Sequence, residues 1–542
     1  MYRLFAESDT GITIKRREGW LAQGGNRRRQ GGARQGEPRS SSPLGASQFP
    51  PKGRTIRKLV GRGKRRRVVS VVLLVLVGGL ALAASVYAGS VVATPISSDL
   101  YTNPTSQHRT QLEPDSFGWG NTVVATFQTG RFFDGGSSNI GWATTTNAGR
   151  TWTTGMLPAT TIFAITPGPW ARISDPAVAY DPLHDVWMIS TLAIDASVSG
   201  AAVLTSRSTD GGLTWQDPVT TSLSSGSFYD KNWITCDTWA QSPHYGNCYQ
   251  EWDDSSMTMS TSSDGGLTWG PRRFPGGSGV GGQPVVQPNG NVIVPYEGGA
   301  GIRSFRSIDG GATWQTSVPV ASVSEHGVAG NLRTSPLPSA EVAGDGKVYV
   351  AWQDCGFRSG CTSNDIVYST SMDGVAWTAK VRVPIDPTNS TVDHFIPGFA
   401  VDRSTSGSST RLALGYYYYP VAGCTSATCQ LTVGFTSSTD GGATWTQPRK
   451  VAGPVSLTWI ASTNQGRMVG DYMSTSFAGA NYAFPIFAVA KLPTGSTFDE
   501  RMYSARFDVT VQPGPLVRAR HDRIRFSKHN MVPDLELPPV TK

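Results

Sequence analysis

One octapeptide recurs along this chain and restricts what it can fold into. Ser208 to Trp215 reads S-T-D-G-G-L-T-W, and Ser262 to Trp269, Ser307 to Trp314 and Ser438 to Trp445 repeat it with one or two changes. Two copies are worn: Thr145 to Trp152 reads T-T-N-A-G-R-T-W, and Ser371 to Trp377 reads S-M-D-G-V-A-W. Such self-similarity marks an array of like supersecondary units. Its chemistry is that of a turn. An Asp carboxylate bonds backbone N–H groups just ahead of it, paired Gly supply positive φ without steric cost, and Trp brings a large apolar area to the strand that follows. Six scattered turns cannot converge on one substrate. Asp210, Asp264, Asp309, Asp373, Asp440 and the variant Asn147 therefore read as structural.

A second signature lies between the turns. A short strand with a polar start precedes a strongly apolar one: Asp175 to Tyr180 before Val186 to Ser190, Asp230 to Ile234 before Gly246 to Tyr249, Gln283 to Val286 before Val292 to Tyr296, Ser335 to Pro338 before Val348 to Trp352, and His394 to Phe399 before Leu412 to Tyr416. A third strand, the octapeptide and a fourth strand starting at the Trp complete each unit. Short strands between turn signals indicate an all-β fold, and four strands per repeat make a β-propeller blade. Five units are complete. A partial one precedes them, with Glu113 to Phe117 as its innermost strand, and another follows, from Gly470 to Val509. The stretch near Asp99 to Thr102 is expected to pair beside Met502 to Val509 and close the ring, which removes free edges. The count is seven blades; six is the alternative.

The octapeptide resembles the Asp-box, or BNR repeat, of the sialidase-like β-propeller superfamily, and the resemblance spans about residues 95 to 513. It implies a carbohydrate-directed protein. Retaining sialidases bind a substrate carboxylate with three arginines and use an aspartate acid/base and a tyrosine nucleophile activated by a glutamate. The arginines make physical sense because a planar guanidinium grips a carboxylate bidentately. Carried onto this chain, Arg333 and Arg467 are two candidate clamps, Tyr472 the candidate nucleophile, and Asp471 and Asp393 the candidate catalytic carboxylates. The family's Arg-Ile-Pro element is absent; Ala171-Arg-Ile-Ser174 is the nearest string and lacks the Pro. Glu251, Glu297 and Glu325 stay open as the partner of the tyrosine. The sialidases themselves are six-bladed, a further departure.

The ends of the chain differ from its middle. The net charge is +8. Residues 1–67 hold 18 Lys/Arg against 4 Asp/Glu, and residues 514–542 hold 6 against 3, which leaves the middle at −9. A nucleic-acid role is excluded on this distribution, because the positive charge sits in tails without apolar periodicity. Gly61 to Arg67 is basic and runs into Val68 to Ala88, an uncharged stretch long enough to span a bilayer. Residues 68–93 read as a transmembrane anchor with a cytoplasmic N-terminus or as a signal peptide cut after Ala88 or Ala93. Either way residues 94–513, the propeller, lie outside the membrane, and 514–542 form a basic tail.

The six cysteines fall after the apolar run as three close pairs, Cys236 with Cys248, Cys355 with Cys361 and Cys424 with Cys429. Local disulfides in an oxidising compartment are expected. No pair is C-x-x-C and His is scarce, so neither a metal nor a cofactor is expected. Tyr416 to Tyr419 reads as packing between blades.

In a propeller the starts of the inner strands face the ligand. They carry Asp175, Asp230, Lys231, Gln283, Arg333, Asp393, His394, Asp471 and Tyr472, with Arg467 just before. Of these, Arg333, Arg467, His394, Asp230, Lys231 and Asp175 are the candidate binding residues. Two functions stay open. One is an exported or membrane-anchored propeller that binds glycans or extracellular proteins without efficient catalysis. The other is an exo-α-sialidase-type glycoside hydrolase.

Overall fold

The computed structural model describes residues 91–511. They form one compact unit. The expected membrane segment, residues 68–93, falls almost wholly outside the described residues. Among the described residues no helix is long and apolar enough to cross a membrane.

The chain is an all-β propeller. Apart from a separate hairpin of Ala461–Thr463 with Gly466–Met468, the described strands fall into seven antiparallel meanders whose first strands are Gln107–Trp119, Arg172–Asp181, Tyr229–Cys236, Val285–Val286, Ser339–Val342, Asp393–Val401 and Ser474–Ala478. Each first strand lies beside those of its neighbours, and the seventh lies beside the first, so the strands ring a channel. The seventh meander, Ser474–Ala478, Tyr482–Thr494 and Thr497–Ser504, is completed from the other end of the chain: Thr94 pairs with Ser504 and Pro95 with Tyr503. The closing segment is thus earlier than the 99–102 stretch expected. Asp99 is occupied otherwise, its carboxylate accepting the N–H groups of Tyr101 at 2.8 Å and Arg109 at 2.6 Å, which folds the segment on itself.

The repeated turn is built as its chemistry dictates. Asp210 Oδ1 accepts from Leu213 N at 3.0 Å, Thr214 N at 2.9 Å and Ser208 Oγ at 2.8 Å, and Oδ2 accepts from Thr214 Oγ1 at 2.6 Å. Burial pushes this carboxyl up, but the bonds from Thr214 and Ser208 outweigh it and hold the group at about 2. Asp264, Asp309 and Asp440 repeat the pattern and are likewise lowered. Four of the five units expected to be complete have a fourth strand, which begins later than the Trp, at Val219, Val318, Val381 and Arg449; the third meander, from Tyr229, has only three strands, contrary to the expectation. The Trp remains in the turn because it packs backwards: Trp215 lies 6.5 Å from Trp142, and Trp377 Nε1 donates to Ser304 Oγ at 3.0 Å.

The glycines show why every copy of the turn keeps at least one of them. Gly212, at φ +82°, sits so close to the first meander that a Cβ would lie 2.6 Å from Val124 Cγ2. Its neighbour Gly211 has φ +80° and open space around it. The same approach recurs at Gly266 onto Met188, Gly311 onto Thr261, Gly374 onto Ile293 and Gly442 onto Tyr368. The worn copy closes the ring, Gly149 meeting Phe484 of the seventh meander. Each turn therefore latches its own meander to the preceding one.

Three disulfides join Cys236 to Cys248, Cys355 to Cys361 and Cys424 to Cys429. Cys236 and Cys248 are direct partners across the first two strands of the third meander. Three such bridges point to an oxidising compartment.

The latch makes a paired prediction. Gly211→Ala strains the backbone alone and is expected to cost about 1 kcal/mol. Gly212→Ala adds a clash with the adjoining meander and is expected to cost about 2–4 kcal/mol. Urea denaturation of the two variants measures the difference; equal costs would mean that the glycine serves only the turn.

Candidate functional site

Four first strands carry a bulge at the same level. Their registers slip between Leu112 and Asp115, Ser174 and Ala177, Asp230 and Trp233, and Phe395 and Pro397. At those slips Glu113, Asp175, Lys231 and Ile396 take φ values of 58°, 46°, 50° and 48°. Non-glycine residues there cost about 1–2 kcal/mol each, and bulges re-aim side chains. Three of the four side chains are charged, and all three meet.

Their meeting point is the Lys231 ammonium. Nζ lies 3.3 Å from Asp175 Oδ1 and 3.7 Å from Glu113 Oε1, and it donates to Asp471 Oδ2. Arg333 donates to the same Asp471 oxygen. Glu113 Oε1 also accepts Asp471 N at 3.2 Å, and its Oε2 accepts from Gln128, whose Oε1 accepts from Arg131 at 2.8 Å. The carboxyls of Glu113, Asp175 and Asp471 are 5% exposed or less, so these charges interact in a medium that screens them weakly.

The electrostatics separate the carboxyls. Burial raises Asp471, but Arg333 and Lys231 outweigh it and hold the group far below the usual range. Burial and the charge of Asp175 push Glu113 up to about 7 in spite of Lys231. Lys231 loses to burial but gains more from Asp471, Asp175 and Glu113, and stays firmly protonated. Beside them Asp230 pairs across the ladder with Asp253. Burial and Asp175 raise Asp230. Burial and Asp230 raise Asp253, and burial and Asp253 raise Glu251. The mouth thus holds more negative groups than its cations neutralise, and protons make up the difference.

The other sequence candidates lie apart from this cluster. Tyr472 is 7% exposed; its hydroxyl donates to Pro176 O at 3.2 Å and its ring stands edge-on to Trp233 at 5.0 Å. Burial first, then Glu113 and Asp175, push its phenol well above the ordinary value. Arg467 holds Arg333 through the backbone, Arg333 N donating to Arg467 O at 2.7 Å, while its side chain turns to Ile460 O at 3.0 Å. Asp393 accepts from Asn364 N at 2.7 Å and stands 3.6 Å from His326 Nδ1. His394, its neighbour in the strand, points to the opposite face, as strand geometry requires. It packs on Tyr416, 5.5 Å away, and burial lowers it. Asp365, Asp386 and His394 bring three ligand-type atoms within 4.8 Å of one another. Arg358 and Arg382 already bridge both carboxylates, which makes the group an ion-pair network.

Glu113, Gln128 and Arg131 belong to the mouth without having been singled out as ligand-binding, and Glu251 was open only as the partner of the tyrosine. Glu113-Pro114 is the signal that was available, since it matches Asp175-Pro176 at the start of the next inner strand.

No family model matches the chain, and no curated protein does. Among solved structures it is similar to a protein of unknown function from Dyadobacter fermentans, with TM-score 0.41 and 15% identity over 65% of this chain and 100% of that one. It is also similar to a Hadza microbial sialidase, with TM-score 0.40 and 13% identity over 75% and 67%. A third is a Penicillium chrysogenum α-L-arabinanase complexed with arabinobiose, with TM-score 0.39 and 11% identity over 78% and 99%. Likenesses of this size carry no functional statement.

Asp471 is the group on which the mouth depends. Asp471→Asn leaves Lys231 and Arg333 facing each other without their shared counter-charge, and is expected to cost about 3–5 kcal/mol. Chemical denaturation checks this; a loss below about 1 kcal/mol, the size of an exposed ion pair, would show that the cluster is solvated rather than buried.

Proposed function

We propose that the protein is an exported, seven-bladed, sialidase-like propeller that binds neutral glycans at the Lys231 mouth and does not use a tyrosine nucleophile. The observation that carries this reading is the Tyr472 hydroxyl. It donates to a backbone carbonyl, and its environment favours the neutral phenol. An activated nucleophile requires the reverse, a base in contact and a lowered pKa. The arginines agree. Arg333 is spent on Asp471 and Arg467 on Ile460 O, so neither offers this mouth an open guanidinium for a substrate carboxylate. The raised Glu113 registers an excess of negative charge that an acidic sugar would increase. Neutral hydroxyls, by contrast, can both donate to Asp175 and Asp230 and accept from Lys231. The disulfides suit export.

The test is direct. Full-length protein is expected to leave a fluorogenic sialoside intact and to bind neutral saccharides on a glycan array in preference to sialylated ones. Asp175→Asn keeps a residue type that tolerates positive φ and is expected to weaken that binding about tenfold, the effect of one charged hydrogen bond. Sialoside turnover that disappears in Tyr472→Phe would overturn the reading and restore the hydrolase.

A further inference from the structure

The channel has a second mouth. All the first strands run the same way, so the ends of those strands lie opposite the Lys231 cluster. A cavity of about 610 Å³ opens there, lined by Asp115, Phe117, Trp119, Trp239, Glu341 and Arg403 among others. Between the two mouths Trp233 and Tyr472 face a void of only about 10 Å³. The volume of the larger cavity falls in the range of small-molecule sites.

Arg403 is its unusual member. The guanidinium carbon stands 4.8 Å from the centroid of the Trp239 ring, 5.7 Å from that of Phe117 and 5.8 Å from that of Trp119. Three rings surround it. None of its donors has a hydrogen-bond or ion-pair partner among the described residues. The acids nearby are committed elsewhere. Asp402 pairs with Arg411 at 2.6 Å, and Asp237 accepts from Trp239 N at 3.0 Å and from Ser242. Asp115 accepts Val178 N at 2.8 Å. Glu341 faces Arg403 without touching it; burial first pushes its carboxyl up to about 8, against the pull of Arg403, so at neutral pH it is largely uncharged. Burial lowers Arg403, against the pull of Glu341, Asp237 and Asp402, only to about 10. A flat, partly buried, charged fork with open donors is the arrangement that receives a carboxylate bidentately.

We propose that this cavity binds a small carboxylate-bearing ligand, with the carboxylate on Arg403 and the body of the ligand against Trp119 and Trp239. The shared chemistry is the carboxylate; an aromatic acid and an acidic sugar are its two possible sources.

Tryptophan fluorescence of the full-length protein reads the site. It is titrated with benzoate, with glucuronate, and with benzamide as the uncharged isostere. A saturable response to at least one acid, absent with benzamide, is expected, and whichever acid binds tighter identifies the source. Arg403→Gln is expected to lose about tenfold or more in affinity, with Arg403→Lys intermediate because it keeps charge but not the fork. Binding is expected to weaken as pH rises through about 8, where Glu341 ionises beside Arg403, with Asp115, raised to about 7, contributing; Asp237, raised by burial, and Asp402 also act on Arg403. Glu341→Gln keeps the fold testable should the arginine variants fail to fold, and is expected to remove most of that pH dependence. No saturation by either acid up to about 20 mM, far weaker than a built site, would overturn the proposal. So would equal affinity for benzamide, affinity retained in folded Arg403→Gln, or a pH dependence that Glu341→Gln leaves unchanged.

Discussion

The fold depends on a contact made by an atom that is absent. Where each turn meets the preceding meander, a glycine presents a bare Cα, and any Cβ would stand inside van der Waals distance of the opposing side chain. The approach brings the neighbouring Trp down onto the same meander, so one turn supplies both the close contact and the apolar area. Six copies serve six joins. The join that has no copy, between the sixth and seventh meanders, uses other means. Phe435 stacks on Phe507 with centroids 3.8 Å apart, and Tyr417 donates to Ala488 O at 3.0 Å while accepting Ala488 N at 2.8 Å. A worn or missing turn is therefore compensated by aromatic side chains at that interface, and the tyrosine run belongs to the ring rather than to a ligand.

Closing the ring also makes the mouth possible. Glu113, Asp175 and Lys231 hold a backbone conformation that none of them prefers. Strain of this kind persists only where the surroundings over-determine it. Here the surroundings are first strands pressed together on both sides by the latches. The bulges turn the three charged side chains towards one point, where regular strands would have sent alternate residues to opposite faces. Packing at the rim thus sustains the strain at the centre, and the strained centre sets the charge pattern.

Much of this was legible in the sequence, and the reasons are local. The turns, the strand order within each unit and the close cysteine pairs are encoded in short stretches, so composition and spacing reveal them. Asp175, Asp230, Lys231, Arg333 and Asp471 were legible as polar residues at strand starts. Their partners were less so. Glu113 was legible as a strand residue but not as a ligand of Lys231, because that contact joins positions more than a hundred residues apart. The hydrogen bond of Tyr472 was hidden for the same reason: Pro176 O is its acceptor only because the seventh meander lies next to the first and second. His394 and Asp393 were read together as neighbours in sequence, yet strand alternation separates them. Arg403 carried no signal, since its three rings come from two other meanders.

The two mouths are opposite solutions to one electrostatic problem. Burying charge is costly unless a partner or a proton removes it. At the Lys231 mouth the cations have partners, and the surplus carboxyls hold protons, as the upward shifts of Glu113, Asp253 and Glu251 show. At the other mouth the carboxyls again hold protons, Glu341 and Asp115 both being raised, but the cation has only aromatic faces. Aromatic rings stabilise a guanidinium by about 0.5–2 kcal/mol each at most, and they leave its donors unused. The first mouth is complete without a ligand and offers hydroxyl-sized hydrogen bonding. The second is incomplete until something brings a negative group to Arg403. With Trp233 and Tyr472 packed between them, each mouth keeps its own charge balance.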